Sequence, residues 1–202
     1  MKYLLSTGGW DSTYRLLDLA LEQQVAVQPH YVIDPGRRST TQELRAMSEI
    51  EAGIEAEAGE ADLVRPLQIR LRTDIHPHAE ITRARDQLAR EVAIGEQYEW
   101  LARFCEQENL QRLELSLTGH EAGTALQERL FMDPQHGEFR LRRDYLAYQL
   151  FKYYEFPQLS LTKEDMKREA ERKGFSALLE RTLFCHAPIL DSLTRPNAPF
   201  AS

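Results

Sequence analysis

The sequence predicts an α/β fold of three layers, in which a mostly parallel sheet lies between two layers of helices. Short apolar runs alternate with longer segments whose apolar residues recur at helical spacing. Most of the apolar runs end at glycine, proline or a polar cluster, which is typical of strand ends. The length of 202 residues suits one domain with a sizeable core, so we expect a single domain over residues 1–202 with an irregular tail from 185 to 202.

The first half of the chain is expected to contain three strands and two helices. The strands are predicted at residues 2–6 and 27–33 and within 63–71, and the helices at 12–24 and 40–58. An apolar stripe on the second helix is formed by Leu44, Met47, Ile50 and Ile54. Thr40 and Glu43 predict a capping box at the start of this helix, and Gly59 is expected to end it.

The second half of the chain is expected to be mostly helical. Apolar residues keep helical spacing over residues 81–109, and Gly95 is a candidate break within that stretch. Strands are predicted at 113–117 and 158–161, and helices near 122–131, 145–154 and 176–181. Thr162 and Asp165 predict a capped helix that reaches Lys173, with Gly174 at its end.

The segment most informative about function follows the first predicted strand, where residues 7–12 read TGGWDS. A strand that delivers glycines and hydroxyl groups to a helix N-terminus builds an anion pocket, because unpaired amides and the helix dipole point at one spot. A simple strand-to-helix turn capped by Asp11 or Ser12 is the alternative. We favour phosphate binding by Ser6, Thr7, Gly8, Gly9, Ser12 and Thr13, with Asp11 as a Mg²⁺ ligand or a brace of the turn.

The TGGWDS segment resembles the pyrophosphate loop, S/T-G-G-x-D-S/T, of the N-type ATP pyrophosphatases, or PP-loop superfamily. Neither the G-x-x-x-x-G-K-S/T loop nor the dinucleotide fingerprint G-x-G-x-x-G occurs in the chain. Members of this superfamily cleave ATP between the α- and β-phosphates and adenylate a substrate. The resemblance implies a Rossmann-like fold of the adenine nucleotide alpha hydrolase type, with ATP and Mg²⁺ as cofactors.

Later segments are similar to one branch of that superfamily, the 7-cyano-7-deazaguanine synthases. Residues 161–166 (LTKEDM) and 181–186 (RTLFCH) resemble its closing region, in which T-K-x-[ED] precedes T-x-[SF]-C. Residues 115–121 (LSLTGHE) lie where that family has a strand ending in a G-x-[NH] substrate loop. The synthases carry a four-cysteine zinc site, whereas this chain has two cysteines and no C-x-x-C after Cys185. We therefore assign no zinc ligand.

Four polar segments follow predicted strands and are expected to meet at one edge of the sheet, because ligands of open α/β sheets bind outside the carboxyl ends of the strands. They are residues 7–13, 34–38, 118–121 and 162–163. The helix dipole disfavours a lysine in the first turn of a helix, and a bound phosphate nearby would offset this cost. We therefore expect Lys163 to contact phosphate. The alternative is an exposed lysine whose charge is offset by neighbouring acidic residues.

Three further residues are candidates for this composite site. We expect Arg37 to contact phosphate or a substrate carboxylate; the alternative is a surface turn. We expect Gly119 and His120 to form the wall of the pocket for the acceptor substrate, with the imidazole as a hydrogen-bond partner or proton carrier. The alternative for these two residues is a simple loop. The predicted catalytic residues are therefore Asp11, Lys163 and His120. Trp10 either packs beneath the loop or covers the nucleotide.

Composition narrows the classes of partner. The net charge of −7 argues against strong nucleic-acid binding, which requires clustered lysine and arginine. No apolar run approaches the roughly 20 residues of a membrane span, so no membrane association is expected. Met1 leads directly into the first strand, without a signal peptide. Two cysteines fit a reducing cytoplasm.

The expected function is that of an ATP-dependent ligase acting on a small molecule. By resemblance, a deazapurine-like carboxylate is activated as an acyl-adenylate with release of pyrophosphate and is then amidated, as in queuosine biosynthesis. A homodimer is the candidate assembly. The alternative is a divergent nucleotide-binding partner module of a modification or defence system. A tRNA-modifying thiolase is less favoured, because it needs further cysteines and a basic face.

Overall fold

A parallel sheet forms the centre of the molecule. The computed structural model describes residues 1–59, 62–119, 124–133 and 138–182. Its strands are β1 (Lys2–Leu5), β2 (Val27–Ile33), β3 (Gln68–Leu71), β4 (Leu113–Glu114), β5 (Phe131–Asp133), β6 (Glu138–Leu141) and β7 (Tyr154–Glu155). Five strands form one sheet in the order β3-β2-β1-β4-β7, and every pair in it is parallel. The remaining two, β5 and β6, form an antiparallel hairpin.

Helices follow most of the strands. They are α1 (Trp10–Leu17), α2 (Thr40–Ala58), α3 (Ala79–Leu88), α4 (Gln97–Gln107), α5 (Thr124–Leu130), α6 (Tyr148–Phe151), α7 (Lys163–Lys173) and α8 (Ser176–Leu179). A π-helical turn at Asp18–Glu22 extends α1, and a 3₁₀ turn at Arg72–Asp74 follows β3. No described helix is long and apolar enough to cross a membrane.

Two hydrophobic cores lie on the two faces of the sheet. Leu4 of β1 is buried in a core with residues of α1, α2, α7 and α8. Its neighbours Tyr3 and Leu5 pack against the other core, which is built mainly by α3, α4, α6 and the hairpin. Because successive side chains of a strand point to opposite faces, helices cover both sides of the sheet. The prediction of an α/β fold with a mostly parallel sheet is confirmed.

The strand order places a switch point beside β1. The chain runs from β1 to β2 and β3 on one side, and later adds β4 and β7 on the other side. Open α/β sheets bind ligands in the crevice outside the carboxyl ends of the strands at such a point. The TGGWDS segment directly follows β1, so it lies at this crevice.

Several element boundaries match the predictions. The second strand covers Val27–Ile33, and α2 begins at Thr40 and is followed by Gly59, whose φ of +66° favours glycine. The long helical stretch is divided around Gly95, as expected. Thr162 and Asp165 form the predicted capping box, and Gly174 ends α7.

Other expectations were wrong. Ser39, not Thr40, precedes the first turn of α2, and Glu43 bonds to the Ser39 hydroxyl instead of forming a capping box. The last strand of the sheet is Tyr154–Glu155 rather than 158–161, because its two residues pair with β4. The hairpin of β5 and β6 was not predicted. Its local apolar pattern is short and resembles the end of a helix.

Candidate functional site

A cleft of about 550 Å³ opens at the carboxyl ends of β1 and β4. The TGGWDS segment, α4, the chain after β4 and the start of α7 contribute to its walls. The lining residues are Leu5, Thr7, Gly9, Trp10, Asp11, Ser12, Arg37, Ala93, Ile94, Gly95, Gln97, Tyr98, Leu101, Leu115, Ser116, Leu117, Leu126 and Lys163. The cleft therefore occupies the switch point of the sheet.

Internal hydrogen bonds hold the TGGWDS turn in shape. The Ser12 hydroxyl donates to the main-chain carbonyl of Gly9 at 3.2 Å and accepts from the amide of Thr7 at 3.3 Å. The hydroxyl oxygens of Thr7 and Ser12 lie 3.2 Å apart. Thr7, Gly9, Asp11 and Ser12 line the cleft, whereas Ser6 and Thr13 are buried beneath the turn, with 3 % and 1 % exposure. The hydroxyls of Thr7 and Ser12 thus organise the turn at the N-terminus of α1.

The two glycines of the turn have different roles. Gly8 has a φ of +65°, and a Cβ added there would lie 2.9 Å from the main-chain oxygen of Glu43. The backbone itself therefore requires glycine at this position. Gly9 has an ordinary φ of −82° and lines the cleft, and a Cβ there would meet only the Thr7 hydroxyl, at 3.3 Å. Its missing side chain leaves the cleft accessible at the N-terminus of α1.

Lys163 and Asp11 meet across the cleft. The Lys163 Nζ lies 3.2 Å from Asp11 Oδ2, although the two residues are far apart in the sequence. Asp11 belongs to the first turn of α1 and Lys163 to the first turn of α7. The N-termini of two helices therefore converge at one edge of the sheet, where their dipoles favour negative charge. These two residues were expected at one edge of the sheet, and their side chains lie in contact there.

Gln158 links the segment after β7 to the loop. It is 1 % exposed, and its Nε2 donates to the main-chain carbonyl of Asp11 at 3.0 Å. Nothing in the sequence marked this glutamine, because it lies in a segment that was expected to be a strand. A buried amide with such a contact fixes the first turn of α1 relative to the start of α7.

Arg37 is held at the cleft by a buried carboxylate. Glu43, which is 1 % exposed, accepts from the Tyr31 hydroxyl at 2.5 Å, the Ser39 hydroxyl at 2.7 Å and Arg37 Nε at 3.1 Å. Burial of Tyr31 and its bond to Glu43 raise the pKa of the Tyr31 hydroxyl, so this group remains a donor at neutral pH. Glu43 was predicted only as a helix cap, yet it connects β2, α2 and Arg37.

The charged residues that line the cleft form a polar end. Arg37 and Lys163 supply two cations and Asp11 supplies one carboxylate, and the buried carboxylate of Glu43 pairs with Arg37 from behind the lining, so these four groups balance in charge. The rest of the lining is largely apolar and includes Trp10, which also packs against the core on the α1 side of the sheet. A ligand with an anionic end and an apolar or planar body matches this division.

Gly119 has a structural explanation. A Cβ added there would lie 2.5 Å from the main-chain oxygen of Leu159, and the Gly119 carbonyl accepts from Gln127 Nε2 at 2.7 Å. It does not belong to the lining of the cleft. His120 lies outside the described residues, as do Cys185, His186 and the tail.

The described residues contain no group of three or more histidine, cysteine, aspartate and glutamate side chains that could hold a metal ion. Cys105 is buried in the core, and this burial raises the pKa of its thiol. Mg²⁺ is different, because it is usually held by one or two carboxylates together with the phosphates of a substrate. A single carboxylate, Asp11, fits that mode of binding, with the helix N-terminus beside it suited to the phosphates.

Neither a scan against models of known protein families nor a search of curated proteins found a significant match to this chain. Fold and site together define an α/β protein with a parallel sheet and a polar cleft at its switch point.

Proposed function

We propose that the protein is an ATP-dependent adenylating enzyme of the PP-loop superfamily, similar to the 7-cyano-7-deazaguanine synthases, with an adenine nucleotide alpha hydrolase-like fold. One observation carries the proposal. The TGGWDS turn opens at the carboxyl end of β1 onto a cleft that also receives Lys163 from the N-terminus of α7. Two helix N-termini and two cations at one end of a cleft suit a polyphosphate.

The polar end of the cleft would hold the phosphates of ATP. Backbone amides at the start of α1 would donate to phosphate oxygens, and Gly9 would let them approach. Lys163 and Arg37 would neutralise the charge of the pyrophosphate as it leaves. When bound through Asp11, Mg²⁺ would supply further charge neutralisation to the phosphates.

The reaction would join a carboxylate to the nucleotide and then release it as an amide. An oxygen of the acceptor carboxylate attacks the α-phosphorus, the bond to the bridging oxygen breaks, and pyrophosphate leaves. Ammonia then attacks the acyl carbon, AMP departs and a proton is released. The residues of this chain contribute by positioning the reactants and by stabilising charge rather than by forming a covalent bond.

The test is to identify the nucleotide product. The protein is incubated with ATP and Mg²⁺, with and without 7-carboxy-7-deazaguanine and ammonium, and the products are separated as AMP or ADP. We expect AMP and pyrophosphate whose formation depends on the carboxylate. Formation of ADP, or of no product despite bound ATP, would contradict the proposal.

A matched pair of variants on α7 tests the site itself. Lys163→Met should lower AMP formation by roughly 100-fold or more, as loss of a group that stabilises transition-state charge commonly does. Lys167→Met removes an exposed lysine from the same helix and should change nothing. Equal effects of both variants would show that Lys163 acts only through general charge.

A second candidate is a module that binds the nucleotide without cleaving it. The 3.2 Å pair of Asp11 and Lys163 favours this function, because each group already satisfies part of the charge of the other. Such a protein would bind ATP in equilibrium dialysis and yield neither AMP nor pyrophosphate with any carboxylate offered.

A further inference from the structure

A second cleft, of about 460 Å³, lies at the β7 edge of the sheet, between that strand and the hairpin. Its lining residues are Lys2, Arg15, Glu114, Phe139, Arg140, Leu141, Arg143, Tyr148, Lys152, Tyr154, Glu155, Phe156 and Pro157. None of these residues lines the cleft at the switch point. We call this second cavity the edge cleft.

The charges at the floor of the edge cleft compensate one another. Glu114 has a side-chain exposure of 1 % and pairs with Arg15 Nε at 2.6 Å and with Lys2 Nζ at 2.9 Å. Lys2 also pairs with Glu155 at 3.0 Å, and Arg112 pairs with the same carboxylate at 2.5 Å. The basic groups of the floor are therefore already matched by carboxylates.

The rim of the edge cleft is different, because its three cations have no carboxylate partner among the side chains that the structure describes. Arg140 lies in β6 and Arg143 lies just after the end of this strand, and both are exposed. Lys152 donates to the Gln149 side-chain oxygen at 2.9 Å and lies 5.1 Å from the centre of the Tyr153 ring, so its partners are neutral. The rim thus concentrates positive charge in a protein whose net charge is −7.

Aromatic packing fixes the hairpin wall of the edge cleft against the sheet. The Phe131 ring packs edge-on against Phe139 at 5.5 Å and against Phe156 at 5.8 Å. Phe139 belongs to β6, and Phe156 follows β7, so this cluster joins the hairpin to the edge strand. The rim arginines are therefore carried by a wall that is attached to the core.

We propose that the edge cleft binds a small phosphate-bearing molecule. A phosphomonoester carries a charge of about −1.5 to −2 at neutral pH, which offsets the repulsion among the rim cations. Arginine forks bind phosphate oxygens in pairs, and lysine adds a point charge. The volume is in the usual range for small ligands, and the acidic surface of the chain disfavours a long polyanion.

The test is calorimetric titration of the whole protein with ribose 5-phosphate and, as an anion without phosphate, with citrate. We expect the wild-type protein to bind ribose 5-phosphate at the edge cleft and to bind citrate more weakly. The double variant Arg140→Ser/Arg143→Ser should weaken this binding by about tenfold or more, as expected for loss of charge-assisted hydrogen bonds. Both arginines are exposed, so the fold should be retained, as circular dichroism can verify.

The matched control is Arg45→Ser/Arg168→Ser, which removes the same charge from exposed positions on α2 and α7. Equal weakening by both double variants would overturn the proposal, because it would show a general effect of charge. Lys163→Met should leave the edge-cleft site intact, so failure of the proposed ATP reaction is distinguishable from failure of this site. Tighter binding of a 20-nucleotide single strand than of ribose 5-phosphate, lost in the Arg140/Arg143 variant, would also overturn it in favour of a nucleic-acid surface.

Discussion

Replacement of Gly8 by alanine tests the geometry of the TGGWDS turn most directly. At a φ of +65°, alanine enters a backbone region that costs about 1–2 kcal/mol. The new Cβ would also lie 2.9 Å from the main-chain oxygen of Glu43, inside α2, where a carbonyl cannot move without the helix. Such overpacking costs typically about 1–3 kcal/mol, so the sum is about 2–5 kcal/mol.

Gly174 supplies the matched control for this variant. It has a φ of +82°, and a Cβ there would meet nothing within 4 Å. Gly174→Ala should therefore show only the backbone cost of about 1–2 kcal/mol. The difference between the two variants isolates the contact with Glu43.

The assay is urea denaturation monitored by circular dichroism. The free energies of unfolding are compared with the same slope against urea concentration for all variants. We expect Gly8→Ala to lose at least about 1 kcal/mol more than Gly174→Ala. Equal losses would refute the reasoning, since they would show that the turn relaxes without strain. Gly9→Ala, with only the 3.3 Å contact to Thr7, should keep its stability and lose nucleotide affinity.

The remaining predictions concern groups away from the turn. Glu43→Gln removes the charged acceptor of two buried hydroxyl donors and of the partly exposed Arg37 Nε, and should lower the free energy of unfolding by about 1.5–3 kcal/mol in the same urea assay. The exposed Glu49→Gln should change it by less than about 0.5 kcal/mol. Burial lowers the pKa of His30 in the folded protein. As the pH drops below about 6.5, the unfolded chain therefore binds a proton at His30 before the folded chain does, and the free energy of unfolding should fall. His30→Phe should reduce this dependence of the free energy of unfolding on pH, as denaturation at several pH values can measure. Gly119→Ala places a Cβ 2.5 Å from the Leu159 carbonyl and should lower the midpoint of thermal unfolding clearly, and an unchanged midpoint would contradict this close contact.

The strands and helices with strong local patterns could be predicted from the sequence. Residues 27–33 (VQPHYVI) end at the turn signal Asp34-Pro-Gly and form β2 as predicted, and Thr162 with Asp165 marked the start of α7 through side-chain groups that are local. The short strand Tyr154–Glu155 could not be predicted in the same way. It is defined by its pairing with Leu113 and Glu114, which is a long-range contact that no local pattern encodes.

The residues of the candidate site also divide into those marked by a local sequence pattern and those defined by long-range contacts. The turn at residues 7–12 and Lys163 were recognisable because each is a helix N-terminus with its own local chemistry. Glu43 and Gln158 were missed as site residues, because their importance depends on burial and on partners distant in sequence. A buried carboxylate or amide looks like any exposed one until the fold surrounds it.

These two missed residues explain how the cleft keeps its polar end ordered. Arg37 belongs to a loop, and a long side chain on a loop would lose conformational freedom on binding an anion. Glu43 removes part of that cost in advance, since its buried carboxylate already fixes Arg37 Nε at 3.1 Å. Gln158 acts similarly on the backbone, because its bond to the Asp11 carbonyl sets the first turn of α1 near the start of α7. Preorganisation of this kind increases affinity mainly by lowering the entropic cost of binding. A Gln158 variant changes no charge, so it should weaken anion binding without removing a group that touches the anion.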